Sequence, residues 1–364
     1  DISPLLAQML EYKASDLYLT SGSVPVWRGD KMVKGRGAPL NDESIRALMQ
    51  CVASPAEMQQ FDNNKELNLA YSDAIGHRYR VNFLFQRQHP AIVIRHIKKD
   101  IPSFDQLRLP RVYQDAIMVK RGLVLVSGQS GSGKSTSIAA MLDYYNDHAD
   151  GHVITVEDPI EFTHEHKGCL FTQREVGIDT NSWHDALKNA LRQRPDIIFI
   201  GEIRDAETMS HAINFAETGH LCIATIHSTH AAQAIERVVN FFPADVRSQS
   251  LYSLAYVLKY IFAQRLVASA DGNKVLAMEI LENVGFIRPL IMKGAVTEIS
   301  DLMSKNADIG MTTFEQSLIK LHENGKITEE TAIEEADNPD NMRLELMRRK
   351  VRQRNFRSNN DDNF

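Results

Sequence analysis

GQSGSGKST, residues 128–136, follows the apolar run GLVLVS (122–127) and precedes Ile138, Met141, Leu142 and Tyr145. The run reads as a buried strand, and the i, i+3, i+4, i+7 spacing reads as one face of a helix. A glycine-rich turn between strand and helix that fits G-x-x-x-x-G-K-[ST] is the context in which this pattern binds phosphate. Glycines let the backbone N–H groups turn inward around phosphate oxygens; Lys134 offsets the β and γ charges, and the Ser135 hydroxyl can ligate Mg²⁺. The expected nucleotide-binding set is Gly128, Ser130, Gly131, Ser132, Gly133, Lys134, Ser135 and Thr136, with ATP and Mg²⁺ as the ligands.

Outward from this loop, strands and helices alternate. HVITVE (from 152), DIIFIGE (196–202) and LCIATIH (221–227) read as further strands. Trp183, Ala186, Leu187, Ala190 and Leu191 mark a helix opened by Ser182 with Asp185 three residues on, and Met209, Ala212, Ile213 and Ala216 mark another. Further helices are expected near 231–240 and 245–262. Such alternation predicts an α/β fold with a mostly parallel, doubly wound sheet and its ligand at the carboxyl ends of the strands. Residues 1–99 differ: SDLYLTSG and RYRVNFLFQ alternate as strands do, and Asn41 caps a helix in NDESIRALMQCV, so a small α+β domain is expected. KKDIPSFDQLRLP reads as a linker, giving domains at 1–99 and 114–340 joined by 100–113. A basic, flexible tail is expected over 341–364, where seven basic residues between Arg343 and Arg357 face one acid, Glu345.

With 43% hydrophobic and 24% charged residues, the 364-residue chain has the composition of a folded protein with two domains. Its apolar runs are far shorter than the roughly 20 residues of a membrane span, so membrane contact is expected only through partners. Three cysteines without C-x-x-C spacing argue against a disulfide framework or a cysteine zinc site and for a cytoplasmic location. A net charge of −6 gives no global attraction for nucleic acid.

Hydrolysis needs a carboxylate near the phosphates, at the end of a neighbouring strand. DIIFI ends in Gly201 and Glu202, and VITV ends in EDPIE, which offers Glu157, Asp158 and Glu161. Gly201 stands where an aspartate usually does, so Glu202 is expected to manage Mg²⁺ through water. His227 closes a strand expected to neighbour the loop strand, where an imidazole could sense the γ-phosphate. HEH (164–166) and HSTH (227–230) lack the cysteine and acidic ligands of common zinc motifs.

In order, GQSGSGKST, ITVEDPIEF, LRQRPDIIFIGEIRD, AETGHLCIATIHS and IERVVNFFP resemble the Walker A, Asp box, atypical Walker B and His box of the secretion and pilus motor ATPases. The resemblance covers essentially the whole chain, and it lies with the PilT/PilU family of type IV pilus retraction ATPases. It implies a RecA-like P-loop NTPase domain preceded by a PAS-like domain, and a homohexamer at the inner-membrane base of the pilus machine. There it would turn ATP hydrolysis into work on a platform protein. The carry-over gives Glu161 or Glu157 as the group that activates water, Glu202 on Mg²⁺, His220 and His227 as the His-box pair, and Arg80 and Arg95 as arginines reaching the phosphates. The tetracysteine insertion and extra domain of assembly ATPases are missing from the sequence. LIMKG (290–294) has Met292 where stand-alone retraction motors usually carry arginine, which implies an accessory working with a PilT-type partner. Two other readings are a nucleotide-binding adaptor with little hydrolysis of its own and a DNA translocase, the latter disfavoured by the acidic total.

Overall fold

The computed structural model describes residues 1–29, 31–305 and 310–361, with side chains as far as Val351. It divides into two compact units. The first takes Asp1–Ile101 with Glu157–Glu165 and Gln173–Ser182; the second takes Pro102–Val156, His166–Thr172 and the chain from Trp183 on.

In the first unit, alternation of apolar and polar residues makes an antiparallel sheet with one covered face. Its strands are β1 (Asp16–Thr20), β2 (Val26–Arg28), β3 (Met32–Lys34), β4 (Glu66–Ser72), β5 (Arg78–Gln86) and β6 (His89–Ile97), in the order β3-β2-β1-β6-β5-β4. The helices are α1 (Ser3–Glu11), α2 (Asp42–Met49) and α3 (Pro55–Asn64). Asn41 caps α2, its side chain accepting the Ser44 N–H at 2.8 Å, and Ser54 with Glu57 forms a capping box on α3. Tyr79, Val81 and Phe83 point from β5 into a core with Leu17, Phe61 and Ile94, which leaves Arg78 and Arg80 on the other face.

Two excursions from later in the chain join this unit, a feature that local pattern does not reveal. Lys98 bridges Phe162, and Lys98 O accepts the Thr163 N–H at 3.2 Å. Arg78 pairs with Asp179 at 3.6 Å.

The second unit is built on β7 (Gly122–Ser127), β8 (Gly151–Glu157), β9 (Cys169–Glu175), β10 (Ile197–Ile200), β11 (Leu221–Ile226), β12 (Leu258–Ala268) and β13 (Lys274–Glu282), ordered β13-β12-β7-β11-β10-β8-β9. The run β12-β7-β11-β10-β8 is parallel and β13 is antiparallel at the edge, so the expected α/β sheet is present. Every residue of β7, β10 and β11 is buried, as strands covered on both faces require. The helices are α4 (Phe104–Leu107), α5 (Val112–Ile117), α6 (Lys134–His148), α7 (Trp183–Ala190), α8 (Ala206–Glu217), α9 (Ala231–Phe241), α10 (Arg247–Val257), α11 (Arg288–Lys293), α12 (Val296–Lys305), α13 (Phe314–Glu323), α14 (Glu329–Glu334) and α15 (Pro339–Asp361). Among the described residues no helix is long and apolar enough to cross a membrane.

Two expectations are corrected. The helix expected over 245–262 ends at Val257, and the chain from Leu258 runs as β12 beside β7. Buried on both faces through its middle, β12 shows no alternation there, so its apolar residues do not separate strand from helix by period. The tail expected to be flexible from 341 is instead helical, because α15 has an apolar stripe to bury. Met342 and Leu346, one helical turn apart, pack against Leu318, Ile327 and Ala332. Arg349 pairs with Glu323 at 2.8 Å and Glu345 at 2.9 Å, and Lys350 with Glu329 at 2.5 Å. Residues 362–364 of that tail lie outside the described residues.

Candidate nucleotide site

The glycine turn leaves β7 and enters α6 with Gly128, Gly131 and Gly133 at φ of 151°, 77° and 90°. Those values favour glycine; at Gly128 a Cβ would also lie 2.6 Å from Gln264 O. Gly133 is the amino-terminal cap of α6 and supplies no side chain to it, so the first-turn N–H groups have no side-chain acceptor from the cap. Anions bind at such ends because the helix dipole and the orphan donors both point at them.

Lys134 is buried, and its Nζ donates to Gly128 O at 2.8 Å and Gln129 O at 2.9 Å. The ammonium thus rests on carbonyl oxygens of its own loop, in the position from which it can meet a phosphate. Ser132 Oγ and Ser127 Oγ are buried without a hydrogen-bond partner, which leaves polar capacity in the loop for a ligand. Ser135 and Thr136 are half-buried in the first turn of α6. A hydroxyl at the first of these positions, beside phosphate oxygens, suits a hard cation such as Mg²⁺.

A cavity of about 400 Å³ lies over Gln129–Ser132 and is closed by Thr229, Gln264, Arg265 and Lys274; another of about 620 Å³ reaches Gly133, Thr136 and Ser137 past Arg108 and Lys274. Gln264, Arg265 and Lys274 belong to β12 and β13, and the sequence reading did not name them: it ends a helix at 262, inside β12, and assigns no strand beyond it. Gln264 is buried and its amide donates to Tyr113 Oη at 3.0 Å and Ser137 Oγ at 2.9 Å, which ties β12 to the loop helix.

Glu202 and His227 come together at the same end of the sheet. In the parallel register Ile226 faces Ser127 and Ile200 faces Ala224, so the segments after β7, β11 and β10 all leave at their carboxyl ends. Thr225 Oγ1 donates to Gly201 O at 2.5 Å and Thr225 O accepts the Ile203 N–H at 2.9 Å, holding the turn that carries Glu202. The Glu202 carboxylate lies 2.9 Å from His227 Nε2 on one oxygen and 2.7 Å from Arg204 on the other. Arg204 is a participant that sequence reasoning did not name, although EIRD gave its position.

His220 is not part of this cluster. It precedes β11, where its carbonyl accepts the Gly122 N–H at 3.1 Å, at the opposite end of a six-residue strand from His227. At about 3.3 Å per residue, the seven steps between them span about 23 Å.

The remaining sequence-predicted residues belong to the first unit. Glu157 is buried at the end of β8, and Glu161 is exposed in the segment that follows. Arg80 and Arg95 face each other across β5 and β6, and Asp16 faces Arg95 across β1 and β6. Like charges directly opposite repel. Here the Asp16 carboxylate holds Arg95 at 2.7 Å, and Glu175 lies 4.0 Å from Arg80. Burial raises the Glu175 carboxyl above its usual range, while the Ile160 N–H and Arg80 act against it.

Beside Thr229, His230 lies 3.3 Å from both Glu279 and Asp337. Its hydrogen bond to Glu279 raises its pKa above the usual 6.5; burial opposes this, and the charges of Glu279 and Asp337 reinforce it. A histidine raised in the folded state stabilises fully below its unfolded value and loses that contribution as pH rises through the folded value. Urea unfolding of His230→Gln against the parent should therefore show a larger loss of stability at about pH 6 than at about pH 8. Equal losses at the two pH values contradict the pairing.

The family model described as type II/IV secretion system protein matches residues 2–285. The chain is 43% identical to the type IV pilus ATPase PilU of Pseudomonas aeruginosa over 94% of its own length and 91% of that protein's. It is 39% identical to the type IV pilus retraction ATPase PilT of the same organism, over 94% of this chain and 99% of that one. The crystal structure of the pilus retraction motor PilT with bound ADP superposes with a TM-score of 0.86 at 37% identity, over 93% of this chain and 97% of that one.

Proposed function

The chain belongs to the family of type II/IV secretion system proteins and is an ATPase, and from that premise we propose that it powers the retraction of type IV pili. One observation carries the reading: an intact phosphate loop shares the carboxyl end of one parallel sheet with Glu202, whose carboxylate is held between His227 and Arg204. Binding without turnover needs only the loop; a positioned carboxylate is what hydrolysis adds.

In this reading the second unit is RecA-like and the first PAS-like, the latter supported by an antiparallel sheet with β1 inside it between β2 and β6. The working division is an amino-terminal domain over 1–99, a linker over 100–113 and an ATPase domain over 114–340. Gly128, Ser130, Gly131, Ser132, Gly133, Lys134, Ser135 and Thr136 hold the ATP phosphates. Ser135 and, through water, Glu202 hold Mg²⁺, which when bound neutralises charge that develops on the phosphates. Glu161 or Glu157 draws a proton from the attacking water. The motor works as a homohexamer at the cytoplasmic base of the pilus machine, acting on an inner-membrane platform protein. Half-buried Met292, in the place of a family arginine, supports an accessory role beside a PilT-type ring.

The purified chain should release phosphate from ATP with Mg²⁺, and Lys134→Ala should abolish that release while leaving the fold intact, since the cation that offsets phosphate charge is gone. In cells, retraction with a PilT-type partner present should fall on deletion of this chain and return with the parent but not with Lys134→Ala. Restoration by Lys134→Ala would leave an adaptor that needs no hydrolysis.

Arg80 and Arg95 complete the site in this reading, and their pairing across β5 and β6 supports their acting together. An arginine that meets developing phosphate charge contributes roughly 10³–10⁵ in rate, and an ammonium cannot copy its planar fork. Arg80→Lys and Arg95→Lys should each slow steady-state turnover sharply in folded, assembled protein. Rates within about a factor of two of the parent, far from that range, would remove both from the site.

A further inference from the structure

Away from the nucleotide loop, α7, whose buried side carries Ala186, Leu187 and Ala190, packs against α8, whose buried side includes Met209, Ala212 and Ile213. At the rim of this contact stand His184 in the first turn of α7 and, on α8, Glu207 and His211. The last two are one helical turn apart, so their side chains share a face. His184 Nδ1 lies 2.6 Å from Glu207 Oε1, and the His184 and His211 rings meet edge to face with centroids 5.6 Å apart. One ligand atom from each of the three residues lies within 4.8 Å of the others.

We propose that His184, Glu207 and His211 form a binding site for a first-row divalent metal ion of the Zn²⁺ class, which clamps the amino-terminal turn of α8 to α7. The donor set decides the class. Two imidazoles and one carboxylate suit Zn²⁺ and its neighbours, whereas Mg²⁺ and Ca²⁺ take oxygen ligands, so the site is chemically distinct from any cation that accompanies nucleotide. Zinc bonds of about 2.0–2.1 Å in tetrahedral geometry place ligand atoms about 3.3 Å apart. Reaching that spacing needs the 2.6 Å His184–Glu207 pair to open and the other ligand atoms, within 4.8 Å, to adjust by small side-chain rotations, for which the His184 and Glu207 side chains, 43% and 63% exposed, have room. Three protein ligands leave a fourth position open to water or to a side chain from outside the chain.

The placement gives the ion a consequence. Asp205 caps α8, accepting the Thr208 N–H at 2.8 Å, and the segment before it carries Arg204 and Glu202. An ion on Glu207 and His211 therefore anchors the helix turn that follows directly from the Glu202 carboxylate.

The test uses the full chain, stripped with chelator and titrated with Zn²⁺ against a chromophoric competitor, and in parallel with Co²⁺. The expected result is one equivalent of Zn²⁺ per chain, with visible d–d bands from Co²⁺ in a low-coordinate site. His184→Ala and His211→Ala should each weaken binding on the order of 100-fold, at least what loss of an outer-shell partner costs a metal site, and should remove the bands. His148→Ala, at the exposed end of α6, should bind as the parent does. A parent that holds no ion against the competitor overturns the proposal, and so does a change of less than about tenfold in the two histidine variants. Either result would leave His184 and Glu207 as a surface ion pair.

Discussion

The ammonium of Lys134, seated on the carbonyl oxygens of Gly128 and Gln129, is the contact around which the second unit is arranged. It exists because the backbone between β7 and α6 turns through three glycines at positive φ, a path that side chains would strain. A buried cation is costly unless it is solvated by something, and here the loop solvates it with its own carbonyls. Phosphate oxygens offer the same cation a full negative charge in place of partial ones. The loop thus holds, on its own carbonyls, the positive charge that a phosphate requires.

That loop was fully legible in the sequence, since strand, glycine spacing and helix are all local signals. Glu202 and His227 were legible for the same reason: each closes an apolar run that can only be a strand in an alternating α/β chain. What surrounds them was not. Gln264, Arg265 and Lys274 reach the loop from β12 and β13, strands whose mixed polar and apolar residues and irregular burial carry no clean period to read. The Arg204 clasp on Glu202 depends on a turn that the hydrogen bonds of Thr225 hold in shape, a long-range fact. His220 shows the converse case, since a motif shared with His227 in sequence separates into two ends of one strand in space.

In the first unit a costly charge arrangement is offset by neighbouring acids. Arg95 and Arg80 stand opposite one another where like charges repel, and the sheet tolerates them because Asp16 and Glu175 lie alongside. Neither acid could be assigned from local pattern, because Asp16 meets Arg95 across non-consecutive strands and Glu175 arrives in an excursion from far along the chain.

The central claim is that the loop binds nucleotide and that Glu202 makes the bound nucleotide turn over. Its most direct measurement is nucleotide affinity and steady-state hydrolysis for Glu202→Ala beside the parent, in the presence of Mg²⁺. The account predicts an affinity close to that of the parent together with a fall in turnover of about 10²–10³, the range seen when one group that meets transition-state charge is removed. Hydrolysis at the parental rate would contradict it and move the catalytic carboxylate elsewhere in the chain.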